Sequence, residues 1–219
     1  MRPGQRDLVE NLLPKLEVDP VSTDIFDPRT GFGPDLDDVW LEIGFGGGEH
    51  LAWQAVANPG TGIIGCEPFI NGVAKLLTRV RDDDLSNVRF YRDDARLLVE
   101  RLRENSLGRA FILFPDPWPK TRHHKRRIIS DEVLGHLARA LRDDAELRIA
   151  TDDAGYLEWI LWHLCRHPAF RWQASSPADW RNRPDDWPVT RYQEKAVAVG
   201  RNCAFLTYVR QPRAQTRDR

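Results

Sequence analysis

V-W-L-E-I-G-F-G-G-G-E-H, Val39 to His50, is the stretch on which the reading of the fold turns. Val39 to Ile43 is a short apolar run. Gly44, Gly46, Gly47 and Gly48 follow it closely, and a helical pattern then begins with Leu51, Ala52, Ala55 and Val56 on one face. Strand, glycine turn, helix is the opening unit of a doubly wound α/β sheet.

The chain on the C-terminal side repeats that alternation. Gly62 to Glu67 (G-I-I-G-C-E) is a second strand ending in an acid, and Val73, Leu76, Leu77 and Val80 follow at helical spacing. Val88 to Tyr91 is a third strand. Asp93-Asp94-Ala95 then opens a helix bearing Leu97, Leu98 and Leu102. Ala110 to Phe114 is a fourth strand, Asp131 to Leu141 a helix and Glu146 to Asp152 a fifth strand, the R-D-D-A-E segment before it reading as a turn. Ala154 to His167 is an amphipathic helix whose apolar face carries Tyr156, Trp159, Ile160, His163 and Leu164, which makes His163 a structural histidine. Phe170 to Ala174 and Cys203 to Val209 complete a mostly parallel, seven-stranded sheet with helices on both faces. A connection as long as Ser175 to Arg201 in a compact domain is usually functional. Residues 1–36 hold five prolines and read as a helix over Arg6 to Leu16 plus an irregular lead-in, ahead of one domain over 37–219. Arg213 to Arg219 reads as a polar tail.

The 219 residues carry 41% hydrophobic and 30% charged side chains, an ordinary globular balance, with a net charge of −1. Any nucleic-acid contact must therefore come from a local basic patch on a roughly neutral body. No apolar run is long enough to span a bilayer, and M-R-P-G-Q-R-D is not a signal peptide. Cys66, Cys165 and Cys203 are scattered and odd in number, which suits a reducing, cytoplasmic setting.

Acids mark the successive strand ends. Glu42 lies within the first strand, Glu67 ends the second, and Asp94 follows the third. Gly44 and Gly46 let the backbone approach a ligand at a helix N-terminus. Glu49 stands where a dinucleotide fingerprint has its third glycine, and three carboxylates would repel a pyrophosphate. The set suits a nucleoside ligand with a cationic centre, such as S-adenosylmethionine. Glu67 would take the ribose diol and Asp94 an adenine edge; helix caps or solvated strand ends are the bland alternatives for each acid.

Phe114 to Arg127 reads F-P-D-P-W-P-K-T-R-H-H-K-R-R. Three prolines alternate with Asp116, Trp118 and Lys120, so the loop should be stiff. Five cations and two histidines then fall between Lys120 and Arg127. A stiff loop with one carboxylate, one aromatic and a cationic arm suits base reading; each half alone is better explained by a proline turn or a solvated basic helix start, and it is their fusion behind a buried strand that favours base reading. His123 and His124 lack further ligands nearby and are not read as a metal site.

With both halves in view the sequence resembles the bacterial tRNA (guanine-N7-)-methyltransferase family. The resemblance rests on L-E-I-G-F-G-G-G, G-C-E-P, D-D-A-R, L-F-P-D-P-W-P-K-T-R-H-H-K-R-R, A-T-D and T-R-Y, in series over roughly residues 37–209. It implies a Rossmann-like class I methyltransferase fold and methylation of the guanine at position 46, in the tRNA variable loop. It implies that Glu42, Glu67, Asp94 and Asp116 contact S-adenosylmethionine, with Asp116 catalytic. Lys120, Asp152 and the stretch Thr190, Arg191, Tyr192, Gln193 would contact substrate, and Arg122, His123, His124, Lys125, Arg126 and Arg127 the RNA. A monomer without metal is expected. Three features depart from the pattern. Gln193 stands where the family usually has Glu, R-D-D-A-E replaces a glycine pair, and the longer basic N-terminal arm of many relatives, with its share of tRNA affinity, is expected to be missing.

Three rival readings are set against this one. Acid, prolines and an aromatic also mark methyltransferases of exocyclic amines, from which the basic block distinguishes this chain. A non-catalytic RNA-binding module is suggested only by Gln193. A nicotinamide oxidoreductase would want the missing third glycine.

Overall fold

The computed structural model describes residues 1–20, 22, 24–34 and 36–213. In chain order its helices and strands are α1 (Pro3–Asn11), α2 (Leu13–Leu16), β1 (Asp38–Ile43), α3 (Glu49–Ala57), β2 (Thr61–Cys66), α4 (Ile70–Asp82), β3 (Val88–Tyr91), α5 (Ala95–Arg101) and β4 (Leu107–Leu113). They continue with α6 (Asp131–Ala140), β5 (Leu141–Thr151), α7 (Ala154–Leu164), β6 (Phe170–Trp172), α8 (Ala178–Arg181), α9 (Arg191–Ala198) and β7 (Ala204–Arg210).

The seven strands lie in the order β3-β2-β1-β4-β5-β7-β6, with β7 antiparallel to both of its neighbours and the other pairings parallel. This is the doubly wound, Rossmann-like class I methyltransferase sheet. Residue alternation along β1 shows how it divides the core. Val39, Leu41 and Ile43 point to the face covered by α5, α6 and α7, whereas Trp40 points to the face covered by α1, α3 and α4.

The lead-in joins this second face. Its helix is broken into α1 and α2 at Leu12, two residues before Pro14, whose ring bars an unbroken helix. Leu8 and Leu13 are buried beside Val73, Leu76 and Leu77 of α4.

Three other expectations are corrected. Val56 is exposed, because α3 turns Leu51, Ala52 and Ala55 inward and leaves Val56 on its outer side; Leu97 is exposed likewise. The R-D-D-A-E segment is not a turn before the fifth strand but part of β5. Asp144 adopts a left-handed φ of 63° there, and the pairing with β4 shifts register between Leu107 and Arg109, the pattern of a β-bulge. Arg213 is no frayed end, since it pairs with Asp143 and with Glu104 at 2.9 Å. Residues 214–219 of the expected tail lie outside those described.

His163 is structural, as expected. Its Nδ1 meets Asp131 Oδ1 at 2.7 Å and its ring packs between Trp159 and Trp162. Among the described residues no helix is long and apolar enough to cross a membrane.

Candidate active site

Strand order reverses between β1 and β4, so the loops after these strands part and leave a crevice at the carboxyl edge of the sheet. The glycine turn leaves β1 and the Phe114–Arg127 segment leaves β4. Between them lies a cleft of about 470 Å³ whose lining includes Gly44, Glu67, Asp94, Asp116, Trp118 and Tyr192.

On the glycine side, Gly44, Gly46 and Gly48 have φ of 76°, 57° and 75°, a backbone that side chains resist. A Cβ on Gly44 would meet nothing within 4 Å, so the turn leaves space for a ligand. Glu67 braces the turn: Gly46 N donates to its Oε2 at 2.8 Å and Phe69 N to its Oε1 at 3.0 Å. Burial pushes the Glu67 carboxyl above its ordinary value; the amides of Phe69 and Gly46 pull it down, Asp116 adds to the rise and Arg191 opposes it. Asp94 caps α5 by accepting from Arg96 N at 3.0 Å and pairs with Arg96 Nη1 at 2.9 Å.

On the other side, Phe114 and Trp118 take left-handed φ of 52° and 42°, each immediately before a proline. Such a backbone costs about 1–3 kcal/mol per residue unless its surroundings impose it. Here they do. Phe114 N donates to Ala150 O at 2.8 Å, and the Phe114 ring stacks on Tyr192 at 6.4 Å. Arg127 Nε donates to Pro117 O at 2.8 Å, and Arg96 Nη2 donates to the carbonyls of Arg126 and Arg127 at 2.9 and 3.2 Å. Asp116 is left exposed at the cleft between the two strained residues.

The basic segment is a 3-10 turn over Thr121–Arg126. Lys120, Arg122, Lys125 and Arg126 are exposed, and none has a carboxylate within ion-pairing distance among the described residues. Arg126 covers the Trp118 ring at 4.8 Å, and His123 meets that ring edge-on. His124 packs edge-on against Trp159. Arg127 differs from them: it is only 6% exposed, turned inward over the Tyr156 and Trp159 rings, and so supports the loop from beneath. Composition alone could not separate the one buried cation from its exposed neighbours.

Glu42 is held from behind the cleft. Alternation along β1 places it on the Trp40 face, where it is 2% exposed and its Oε2 meets His50 Nδ1 at 2.7 Å. It is not among the residues lining the cleft. The residue missed was His50, and the signal was available, since Glu42 lies one residue from Leu41 and Ile43 and therefore on the opposite face. Arg96 and Phe69, which line the cleft, were missed as well.

The T-R-Y-Q stretch forms the start of α9. Thr190 caps the helix, its Oγ1 accepting from Gln193 N at 3.3 Å. Gln therefore satisfies the same S/T-x-x-E/Q capping pattern as the usual Glu. Arg191 Nη2 donates to the Tyr192 hydroxyl at 2.9 Å, which sits so close to Gly46 that a Cβ there would lie 2.6 Å away. Gln193 faces a second, larger cavity of about 1030 Å³, with Asp152, Asp153, Trp180, Arg181 and Arg201 among its lining. Asp153 caps α7 through Tyr156 N at 2.8 Å, and Asp152 pairs with Arg201 at 2.9 Å. The first turn of α9 thus contributes Tyr192 to the cleft and Gln193 to the cavity. No group of three or more His, Cys, Asp or Glu side chains among the described residues is placed to hold a metal ion.

The family described as "Putative methyltransferase" matches residues 37–206, which span the whole sheet up to β7. The tRNA (guanine-N(7)-)-methyltransferase of Rhodospirillum rubrum is 46% identical over 217 residues, covering 98% of this chain and 85% of its own length. That of Agrobacterium fabrum is 47% identical, covering 96% and 90%. The chain belongs to the tRNA (guanine-N7-)-methyltransferase family. Among solved structures, the 16S rRNA methyltransferase KamB aligns with a TM-score of 0.57 at 16% identity, covering 86% of this chain and 99% of its own. An rRNA methylase from Streptococcus thermophilus aligns with a TM-score of 0.55 at 14% identity, covering 81% and 90%. At such identities the likeness establishes the fold alone. Within the tRNA (guanine-N7-)-methyltransferase family frame, the cleft between β1 and β4 falls where the sheet's order reverses, and the basic turn borders it.

Proposed function

We propose that this chain transfers the methyl group of S-adenosylmethionine to N7 of the guanine at position 46 in the tRNA variable loop, giving 7-methylguanosine. The observation that carries this reading is the meeting of Glu67 and Asp116 in one cleft whose rim is the unpaired basic turn.

The cleft fits the cofactor. Its lining includes four acids, Glu67, Asp93, Asp94 and Asp116, against two arginines, one of them bound to Asp94. That balance favours a cationic, phosphate-free ligand, and the open space over Gly44 admits it. Gly44 and Gly46 would lie against it, Glu67 would accept from the ribose hydroxyls, and Asp94 would take the adenine edge. Bound there, S-adenosylmethionine supplies a methyl group on a positively charged sulfur.

Guanine N7 presents an in-plane lone pair and no proton, so the chain needs no general base. Asp116 receives the guanine N1–H and N2–H₂ edge, which selects guanine. Its negative charge offsets the positive charge that methylation leaves on the base. Trp118, held by Arg126, offers a stacking face for a base taken out of the stack. Lys120, Arg122, Lys125 and Arg126 neutralise phosphates. Asp152 and Gln193 contact the substrate from the larger cavity, and Thr190, Arg191 and Tyr192 place that edge against the glycine turn.

The test is incubation with methyl-labelled S-adenosylmethionine and unmodified tRNA, followed by nucleoside analysis. Label in 7-methylguanosine supports the reading. Label in another nucleoside would overturn the substrate assignment while keeping the cofactor.

A further inference from the structure

Behind the glycine turn runs a buried chain of polar groups that the reaction as proposed does not use. Glu42 of β1 and His50 of α3 are each 2% exposed, as is Gln54 one helical turn further on. Glu42 Oε2 lies 2.7 Å from His50 Nδ1, and His50 Nε2 lies 3.2 Å from Gln54 Nε2. Gln54 Nε2 also donates to the backbone oxygen of Asp186 at 2.9 Å.

The hydrogens along this chain assign themselves. A carboxylate only accepts, so His50 carries its proton on Nδ1. Gln54 must present nitrogen toward His50, because the same nitrogen donates to the Asp186 carbonyl while Gln54 Oε1 accepts from Asn58 Nδ2 at 3.2 Å. His50 Nε2 therefore accepts. The imidazole is neutral, both of its nitrogens are used, and both amide hydrogens of Gln54 are spent. Aromatic rings enclose it, with His50 edge-on to Phe111 at 4.6 Å and to Trp187 at 5.9 Å.

Each end of the chain has functional consequence. Glu42 immediately precedes Ile43 and Gly44, where the cofactor cleft begins. No hydrogen bond to Glu42 Oε1 occurs among the described residues. Asp186 belongs to the loop that leads into Thr190 and the first turn of α9. That loop is pinned by Trp187, 2% exposed against Phe205, and by the bond from Arg148 Nη1 to Asp186 Oδ2 at 2.7 Å.

We infer that His50 is a positioning residue: it fixes the Glu42 carboxylate beside the cofactor cleft and, through Gln54, ties that strand to the loop carrying the tRNA-contacting stretch. The inference rests on the cofactor and substrate reading given above. A bond from a neutral donor to a buried carboxylate is strong because the surroundings are dry, and an orphaned carboxylate there would move to find water.

Four variants of the protein test it, each checked for its unfolding midpoint and assayed with S-adenosylhomocysteine binding and tRNA kinetics. His50→Ala is expected to weaken S-adenosylhomocysteine binding by about 10-fold or more, the usual scale for a lost bond to a charged group. His50→Asn, whose amide nitrogen can take the place of Nδ1, should recover most of that loss, whereas His50→Gln should not. Gln54→Leu is expected to leave S-adenosylhomocysteine affinity within about 3-fold while raising KM for tRNA by about 10-fold with kcat held. Equal losses in the Asn and Gln variants, losses that merely follow the unfolding midpoint, or no split between cofactor and tRNA in Gln54→Leu would each overturn the inference. Failure of the unaltered protein to bind S-adenosylhomocysteine would instead overturn the cofactor reading.

Discussion

Gly72 is half-buried against the glycine turn although it lies in a helix, and replacing it by alanine sets two effects against each other. In α4 alanine is the better helix former, by about 1 kcal/mol. The added Cβ, however, would lie 3.2 Å from the Gly46 carbonyl carbon, nearer still to its oxygen, and 3.1 Å from Glu67 Cγ. The obstruction is backbone and cannot swing aside. Overpacking of this kind costs about 1–3 kcal/mol. Displacing the turn also breaks the bond from Gly46 N to Glu67, and a bond to a charged group is worth about 1.5–3 kcal/mol. The balance is a net loss of about 1.5–5 kcal/mol, which lowers the unfolding midpoint by roughly 3–20 °C for a chain of this size. Gly135 is the matched control: it lies in α6, is exposed, and a Cβ there would meet nothing within 4 Å. Gly135→Ala should gain about 0.4–1 kcal/mol. Scanning calorimetry with and without S-adenosylhomocysteine measures both. Gly72→Ala should also bind S-adenosylhomocysteine more weakly, and Gly135→Ala should bind it unchanged. A Gly72→Ala protein as stable and as tight-binding as the unaltered one would refute the placement of α4 against the cofactor turn.

Asp116→Asn should retain S-adenosylhomocysteine binding in calorimetry and lose about 100-fold in kcat, the scale of removing one charge-stabilising group. Because the Glu67 carboxyl is held above its ordinary value of 4.5 chiefly by burial, S-adenosylhomocysteine binding should fall with decreasing pH through that raised value, ahead of an ordinary glutamate, and Glu67→Gln should flatten this acid limb. The sign for folding is the reverse: Glu67 favours the folded apo-protein below 4.5, and that contribution is lost as pH rises through the raised value, which pH-dependent unfolding of the two proteins will register. Lys125→Ala should reduce the slope of log affinity for tRNA against log salt by about 0.7 with no change in unfolding midpoint, whereas Arg127→Ala should lower the midpoint as well.

The order of strands and helices was legible because each carries its own periodicity, and the glycine turn because glycine takes positive φ, as at Gly44, Gly46 and Gly48, without steric cost. What escaped depends on contacts distant in sequence. Arg127 differs from Arg126 only in facing Tyr156 and Trp159, some thirty residues further on. Trp187 reads as part of a polar loop until Phe111 and Phe205 enclose it. The continuity of β5 through Asp144 depends on a bulge that composition disguises as a turn. Glu42 is different, since period-two alternation already placed it away from Leu41 and Ile43, on the face where His50 meets it.

One substitution in the RNA tests the central claim most directly. A tRNA carrying 7-deazaguanine at position 46 keeps the edge offered to Asp116 and replaces only N7 by a carbon. Unmodified tRNA should accept one methyl group from S-adenosylmethionine, while the 7-deaza tRNA should accept none yet compete with it for binding. Methyl transfer to the 7-deaza tRNA would contradict the account.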